Sequence, residues 1–393
     1  MTQEVHVNSD QVEQAQPRNY LWISRRLDFW LIGGLSIVCW IPFYLLSGRV
    51  SWFSTSVYTI SWIAFYLAYF VNYPHFMASY KLAYTQGQGF VLKNWFQLLL
   101  VPVVLLITII VAFGNWHDDI RNSFFVLEFN DFFKIIGLGT RFGLYPNLGA
   151  EVVGWMTVFM FFTVGWHYSK QTFGCMMVYA KLDNYALSNV ERNIIRYGLL
   201  STWWLTWLNA NCASGSYGYY GLQVYRVNLP YWLYQLAVVV FVILMVLVIA
   251  VLLRKYFKNG EKPSLNFIVP MLALLTWHIP MFSNPQFFYF FAFFHSLQYF
   301  PFVAKVEKTR YEHKQNREAK KRLFLFFLLM VIIGYLFFDF FPNSLDSANQ
   351  SAQIMKASFF MIAFLGFINI HHYFIDNVLW RFKNPEVKNY LLH

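Results

Sequence analysis

From residue 28 to residue 380 the sequence is a succession of apolar stretches about 20 residues long or longer, separated by short polar ones. They fall at 28–48, 52–75, 95–114, 151–180, 194–212, 230–253, 264–283, 285–304, 323–342 and 356–380. In hydrocarbon every backbone N–H and C=O must find its partner within the protein, so a run of this kind crosses as a helix. The expected fold is an all-α polytopic membrane protein with about ten transmembrane helices. Charge supports it: 12% of the 393 residues are charged, roughly half the share in soluble domains.

Lys and Arg set the orientation, because they accumulate on the cytoplasmic side. With the N-terminus inside, the inner segments hold 23 of the 30 Lys and Arg, the outer segments hold six, and Lys170 lies within a helix. Both termini are therefore expected in the cytoplasm. The organisation that follows is a polar cytoplasmic tail at 1–27, a single transmembrane domain at 28–383 and a C-terminal tail at 384–393. The domain includes an outer loop at 115–150 and a basic inner loop at 305–322. The charge bias, with no eukaryotic targeting signal, points to a bacterial inner membrane. The net charge of +11 is concentrated in inner loops such as KVEKTRYEHKQNREAKKR, so it reads as a topogenic and head-group-contacting feature and not as a nucleic-acid surface. Cys39, Cys175 and Cys212 are far apart and form no CxxC pair, which excludes a disulfide framework or a zinc finger.

A neutral imidazole in hydrocarbon needs a partner for both nitrogens, and ten histidines occur. His6, His117, His313 and His393 fall in tails or loops, where water serves them. His75, His167, His295 and His371 lie in the second, fourth, eighth and tenth stretches, which all run from outside to inside under this topology. Counting back from the next inner Lys or Arg puts them about 9 to 21 Å from the cytoplasmic ends. His278 belongs to a span of opposite direction and lies apart. Imidazoles from separate helices at one depth are natural ligands for a transition metal, so His75, His167, His295 and His371 or His372 are the candidate ligands. The last two point about 100° apart on a helix, so one of them faces the centre. Ser79, Tyr168, Lys170, Gln171, Ser296, Gln298 and Asn369 are candidates to support the ligands, and Tyr299 and Asp376 are candidate catalytic groups. Phe293, Phe294, Phe300, Trp166 and Tyr373 are candidates to line a path for an apolar molecule.

Four blocks, YPHFMAS, GWHYSKQ, FFHSLQYFPFVAK and HHYFIDNVLWR, resemble in order the histidine motifs of the Brp/Blh family. These are integral-membrane dioxygenases that cleave β-carotene into two retinals with histidine-bound iron. Pro74-His75, His295-Ser296 with Phe302-Val303, and His371 with Asp376 carry the resemblance, which covers about a tenth of the chain. The sequence departs from the family at Ser79, where the family has an aspartate, and at Tyr299, where it has a second histidine. The resemblance implies a non-haem Fe(II) site that uses dioxygen as co-substrate.

The expected function is an iron oxygenase embedded in the bilayer and acting on a hydrophobic small molecule, with carotenoid cleavage the specific expectation. A two-iron lipid hydroxylase or desaturase is the first alternative, but the chain has no HxxxH or HxxHH box. A transporter that relays protons or ions through intramembrane histidines is the second.

Overall fold

In a computed structural model of the chain, the described residues are 20–46, 62–63, 66–116, 124–135, 143–281, 288–313, 318–351, 357–381, 384 and 389–391. Helix α1 runs through Arg25–Phe29, Trp30–Gly34 and Leu35–Leu46, with a kink at Gly33. Then come α2 (Asn72–Tyr84), α3 (Phe96–Gly114), α4 (Leu148–Leu182) and α5 (Asn189–Asn211). A hairpin of β1 (Ser216–Tyr219) and β2 (Leu222–Tyr225) precedes α6 (Tyr231–Asn259), α7 (Leu265–Met281), α8 (Phe288–His313), α9 (Ala319–Gln350) and α10 (Phe359–Leu379). Two shorter helices, Gln88–Lys93 and Phe124–Ile135, stand in connections, the second inside the expected outer loop.

Among the described residues, five helices are long and apolar enough to cross a membrane: α3, α4, α6, α9 and α10. The apolar part of α7, Leu265–His278, is shorter. The stretch at 194–212 folds within α5 as far as Asn211, and the described part of the stretch at 285–304, from Phe288 onward, folds within α8. The stretch at 52–75 lies largely outside the described residues, and its end differs from expectation. Turns at 68–71 break the chain, and α2 starts at Asn72 and continues to Tyr84. Pro74 fits that start, because in a first turn its missing N–H has no intrahelical partner to lose. His6, His117 and His393 lie outside the described residues.

Local chemistry sets the helix ends. Asn147 caps α4 by accepting from Ala150 N at 2.7 Å, and Ser188 and Glu191 form a reciprocal capping box on α5. Helix α6 stops at Gly260, whose φ of 68° is left-handed. The N-terminus of α10 is capped from a distance: Asp346 on α9 accepts from Phe360 N at 2.8 Å and Met361 N at 2.9 Å. The hairpin, in a segment expected to be a loop, turns at Tyr220 and Gly221, both with positive φ, the requirement of a two-residue turn matching strand twist. It buries Leu222 and Val224 beside α4, and Tyr145 Oη accepts from Tyr225 N at 3.0 Å.

Helix α4 is the hub, packed against α3, α5, α7 and α10, while α2 packs against α8, α9 and α10. Glycines allow the closest approaches. A Cβ on Gly334 of α9 would lie 2.7 Å from Tyr73 Cβ on α2, and one on Gly165 of α4 would lie 2.4 Å from Trp203 on α5. Helix α6 presents Leu236, Val239, Ile243 and Val246 outward, the arrangement expected where lipid is the solvent.

Candidate metal centre

Helices α2, α4, α8 and α10 each bring a histidine to one buried point, and each carries a polar residue four positions later: His75 and Ser79, His167 and Gln171, His295 and Tyr299, His372 and Asp376. Residues four apart share a helix face, so the rings form one layer and Ser79, Tyr299 and Asp376 form a second beside it. His75, His167, His295 and His372 are at most 6% exposed, so water does not serve their nitrogens.

The ring layer is compact. Nε2 of His75 and Nε2 of His372 are 2.7 Å apart, and the His167 ring centroid lies 4.8 Å from those of His295 and His372. Nε2 of His167 has no hydrogen-bond partner among the described residues. Asp376 Oδ2 lies 3.5 Å from His372 Nε2 and 3.8 Å from His167 Nε2. One donor atom from each of His75, His167, His372 and Asp376 thus falls within 4.8 Å of the others. His295 is outside this set of four; its ring packs between His167 and His75, with centroids at 4.8 and 5.1 Å.

The second layer holds Asp376 in place. Ser79 Oγ donates to Asp376 Oδ1 at 2.8 Å, Tyr299 Oη lies 2.5 Å from Ser79 Oγ, and Trp380 Nε1 donates to Tyr299 Oη at 2.8 Å. The consistent direction is Trp380 to Tyr299 to Ser79 to Asp376, which leaves Oδ2 facing the rings. The Tyr299 ring also stacks on His75, centroids 4.1 Å apart. About two turns beyond Tyr299 on α8, Glu307 is fully buried and pairs with Lys81 of α2 at 2.6 Å and Arg310 at 2.8 Å, fastening two of the four helices together.

Several sequence candidates stand elsewhere. Of the two alternatives on α10, His372 joins the group and His371 stands apart: its Nδ1 lies 2.9 Å from Tyr80 Oη and its ring packs on Tyr84 and Phe367, while the adjacent His372 takes the face shared with Asp376. Ser296 turns to Asn72 Oδ1 at 2.6 Å, and Gln298 donates to Ile32 O at 2.8 Å, so both tie α8 to neighbouring helices. Gln171 donates to His295 O at 2.9 Å and to Gln298 Oε1 at 3.2 Å, supporting the His295 backbone. Lys170 hydrogen-bonds Asn377 Oδ1, and Asn369 bonds its own helix at Leu365 O. Of the aromatic path, Phe300 stacks on Phe327 and Trp166 packs on Trp203. Besides Tyr299, rings that touch the histidines include Tyr168, 4.1 Å from His295, and Phe76, 4.6 Å from His372. His278 is buried with Phe291 beside it, outside the cluster. Trp380, the residue that sequence reading passed over, follows His372 and Asp376 at the same interval of four.

The donors fit a first-row transition metal. A metal about 2.1 Å from each ligand separates its neighbours by about 3.0 to 4.2 Å; Asp376 Oδ2 lies 3.5 and 3.8 Å from two of the imidazole nitrogens, the His75–His372 pair is closer at 2.7 Å, and all four donors fall within 4.8 Å. Three imidazoles and one carboxylate suit iron, manganese or zinc and are too nitrogen-rich for magnesium or calcium. No family model, no curated protein and no solved structure matches the chain.

Proposed function

We propose that this protein is a membrane-embedded oxygenase whose Fe(II) is held by His75, His167, His372 and Asp376 and whose substrate is soluble in lipid. The observation that carries this reading is the convergence of four buried donors from α2, α4 and α10, with an unpartnered Nε2 on His167 among them. Bound Fe(II) supplies open coordination positions at which dioxygen is activated. Asp376 lowers the net charge of the site from two to one, which reduces the cost of burying it. Ser79, Tyr299 and Trp380 fix the carboxylate and exclude water from Oδ1. Tyr168, Phe76 and Tyr299 offer flat apolar faces beside the histidines, surfaces suited to a conjugated chain. The four sequence blocks resembling the Brp/Blh family favour a carotenoid and its oxidative cleavage, in a multi-pass bacterial inner-membrane setting.

The test is an aerobic assay of the iron-loaded protein in detergent with β-carotene, reading retinal by chromatography. Retinal formation that disappears with His167→Ala supports the proposal. Iron-loaded protein that consumes neither oxygen nor carotenoid directs the search to another lipid-soluble substrate.

A second reading has its own observation. The 2.7 Å contact between His75 Nε2 and His372 Nε2 is also the geometry of two imidazoles sharing a proton, as in an intramembrane relay. Protein that binds no transition metal but acidifies proteoliposomes would favour that relay. A two-iron hydroxylase has less support: among the described residues one group of candidate ligands is found.

A further inference from the structure

Beside the metal centre, α4 carries a stripe that the oxygenase reading does not use. Phe162, Trp166 and Lys170 follow at intervals of four and so share one face. Helices α5 and α10 both pack on α4, and this face lies between them. Phe162 meets Trp203, Trp204 and Trp207 of α5, with centroids at 4.6, 6.0 and 5.3 Å. Trp166 reaches Tyr373 of α10 at 6.3 Å. Trp204 is 43% exposed, so this aromatic surface is open to lipid and not sealed in the core.

The stripe ends in positive charge. Lys170 Nζ bonds the side chain of Asn377 and lies 6.0 Å over the Tyr373 ring, while Arg381 Nε donates to Asn377 O at 2.7 Å. Arg196 of α5 and Arg381 both act electrostatically on Lys170. Among the described residues no carboxylate forms an ion pair with Lys170, Arg196 or Arg381. Asp376 is within electrostatic reach of Lys170, but its oxygens are taken by Ser79 and face the histidines. Three cations, on α4, on α5 and just past the end of α10, are gathered at the end of an aromatic surface and lack an anion among the described residues.

We propose that this groove binds an anionic phospholipid, its phosphate held by Lys170, Arg196 and Arg381 and one acyl chain laid along Trp166, Phe162 and Trp204. The charge is complementary to a head group, and the apolar stripe begins where an acyl chain begins. This proposal goes beyond the oxygenase reading and does not depend on a metal.

The experiment is native mass spectrometry of the full-length protein in detergent, titrated with dioleoylphosphatidylglycerol or dioleoylphosphatidylcholine. The anionic lipid is expected to bind more tightly, and Lys170→Gln and Arg381→Gln each to weaken it by about fivefold, the effect of one basic residue near a phosphate. Lys258→Gln, at an exposed position on α6, should leave binding unchanged. Because Lys170→Gln is partly buried, Arg196→Gln, at the exposed rim, provides a variant with little risk to folding. Equal binding of the two lipids, or affinity unchanged from the unaltered protein in all three groove variants, overturns the proposal. Complete displacement by excess inorganic phosphate also overturns it, by showing that no chain is held. Iron content, measured on the same samples, reports separately on the metal centre.

Discussion

Two adjacent histidines on α10 have different tasks. His372 shares a face with Asp376 and joins the centre, while His371 is held against Tyr80 on another face. His372→Ala should therefore abolish stoichiometric metal, and His371→Ala should leave it intact, as read by elemental analysis. The sequence contains this distinction in the spacing of four that also links His75 to Ser79 and His295 to Tyr299. Composition and depth alone leave the two histidines equivalent, since one residue along a helix shifts depth by only about 1.5 Å. At Asp376, replacement by Asn removes the anionic donor and is expected to weaken metal binding by at least about tenfold, measured by competition with a chelator. Tyr299→Phe unties Trp380 and Ser79 and should lower stability by about 1–3 kcal/mol, read as a lower Tm of the detergent-solubilised protein.

At the scale of elements, the centre depends on α2 keeping its position, and two features far from the histidines secure it. Glu307 on α8 is buried against Lys81 on α2, so Lys81→Met takes away one of its two ion-pair partners, leaves Arg310 as the other, and should cost about 1–3 kcal/mol, read as a lower Tm. Gly334 lets α9 meet α2 at Tyr73, two residues before His75. Gly334→Leu should displace α2, lowering both Tm and bound metal, whereas Gly334→Ala should have a smaller effect of the same sign. Apolar stretches marked most helices well because hydrocarbon leaves few alternatives. The start of α2 was misplaced because its sequence is apolar on both sides of the turn at 68–71, and only Pro74 marks the boundary. The β1–β2 hairpin escaped notice for a different reason: its register rests on Tyr220 and Gly221 taking positive φ and on Tyr145, 75 positions before Tyr220, accepting from its edge.

For the whole molecule, the same order of layers on α2, α8 and α10 means that these helices run in one direction, with Lys81 and Glu307 beyond the centre toward one membrane face. We propose from the Lys and Arg bias that this face is the cytoplasmic one. A cysteine replacing Tyr220 in the hairpin should then react with an impermeant maleimide from outside intact cells, and one replacing Lys258 should react only after lysis. Aromatic wealth gave the least specific signal. Phe300 and Trp166 have the composition of a tunnel but serve packing and a lateral groove, because a ring's partner is set by tertiary contacts that one sequence does not reveal.

The most direct test of the central claim is the metal content of the purified protein, determined with the single variants of each candidate ligand. About one iron per chain is expected in the unaltered protein and in His371→Ala, with loss in His75→Ala, His167→Ala, His372→Ala and Asp376→Asn. Protein free of transition metal after expression in iron-replete cells, or a His371→Ala variant as depleted as His372→Ala, would contradict the account.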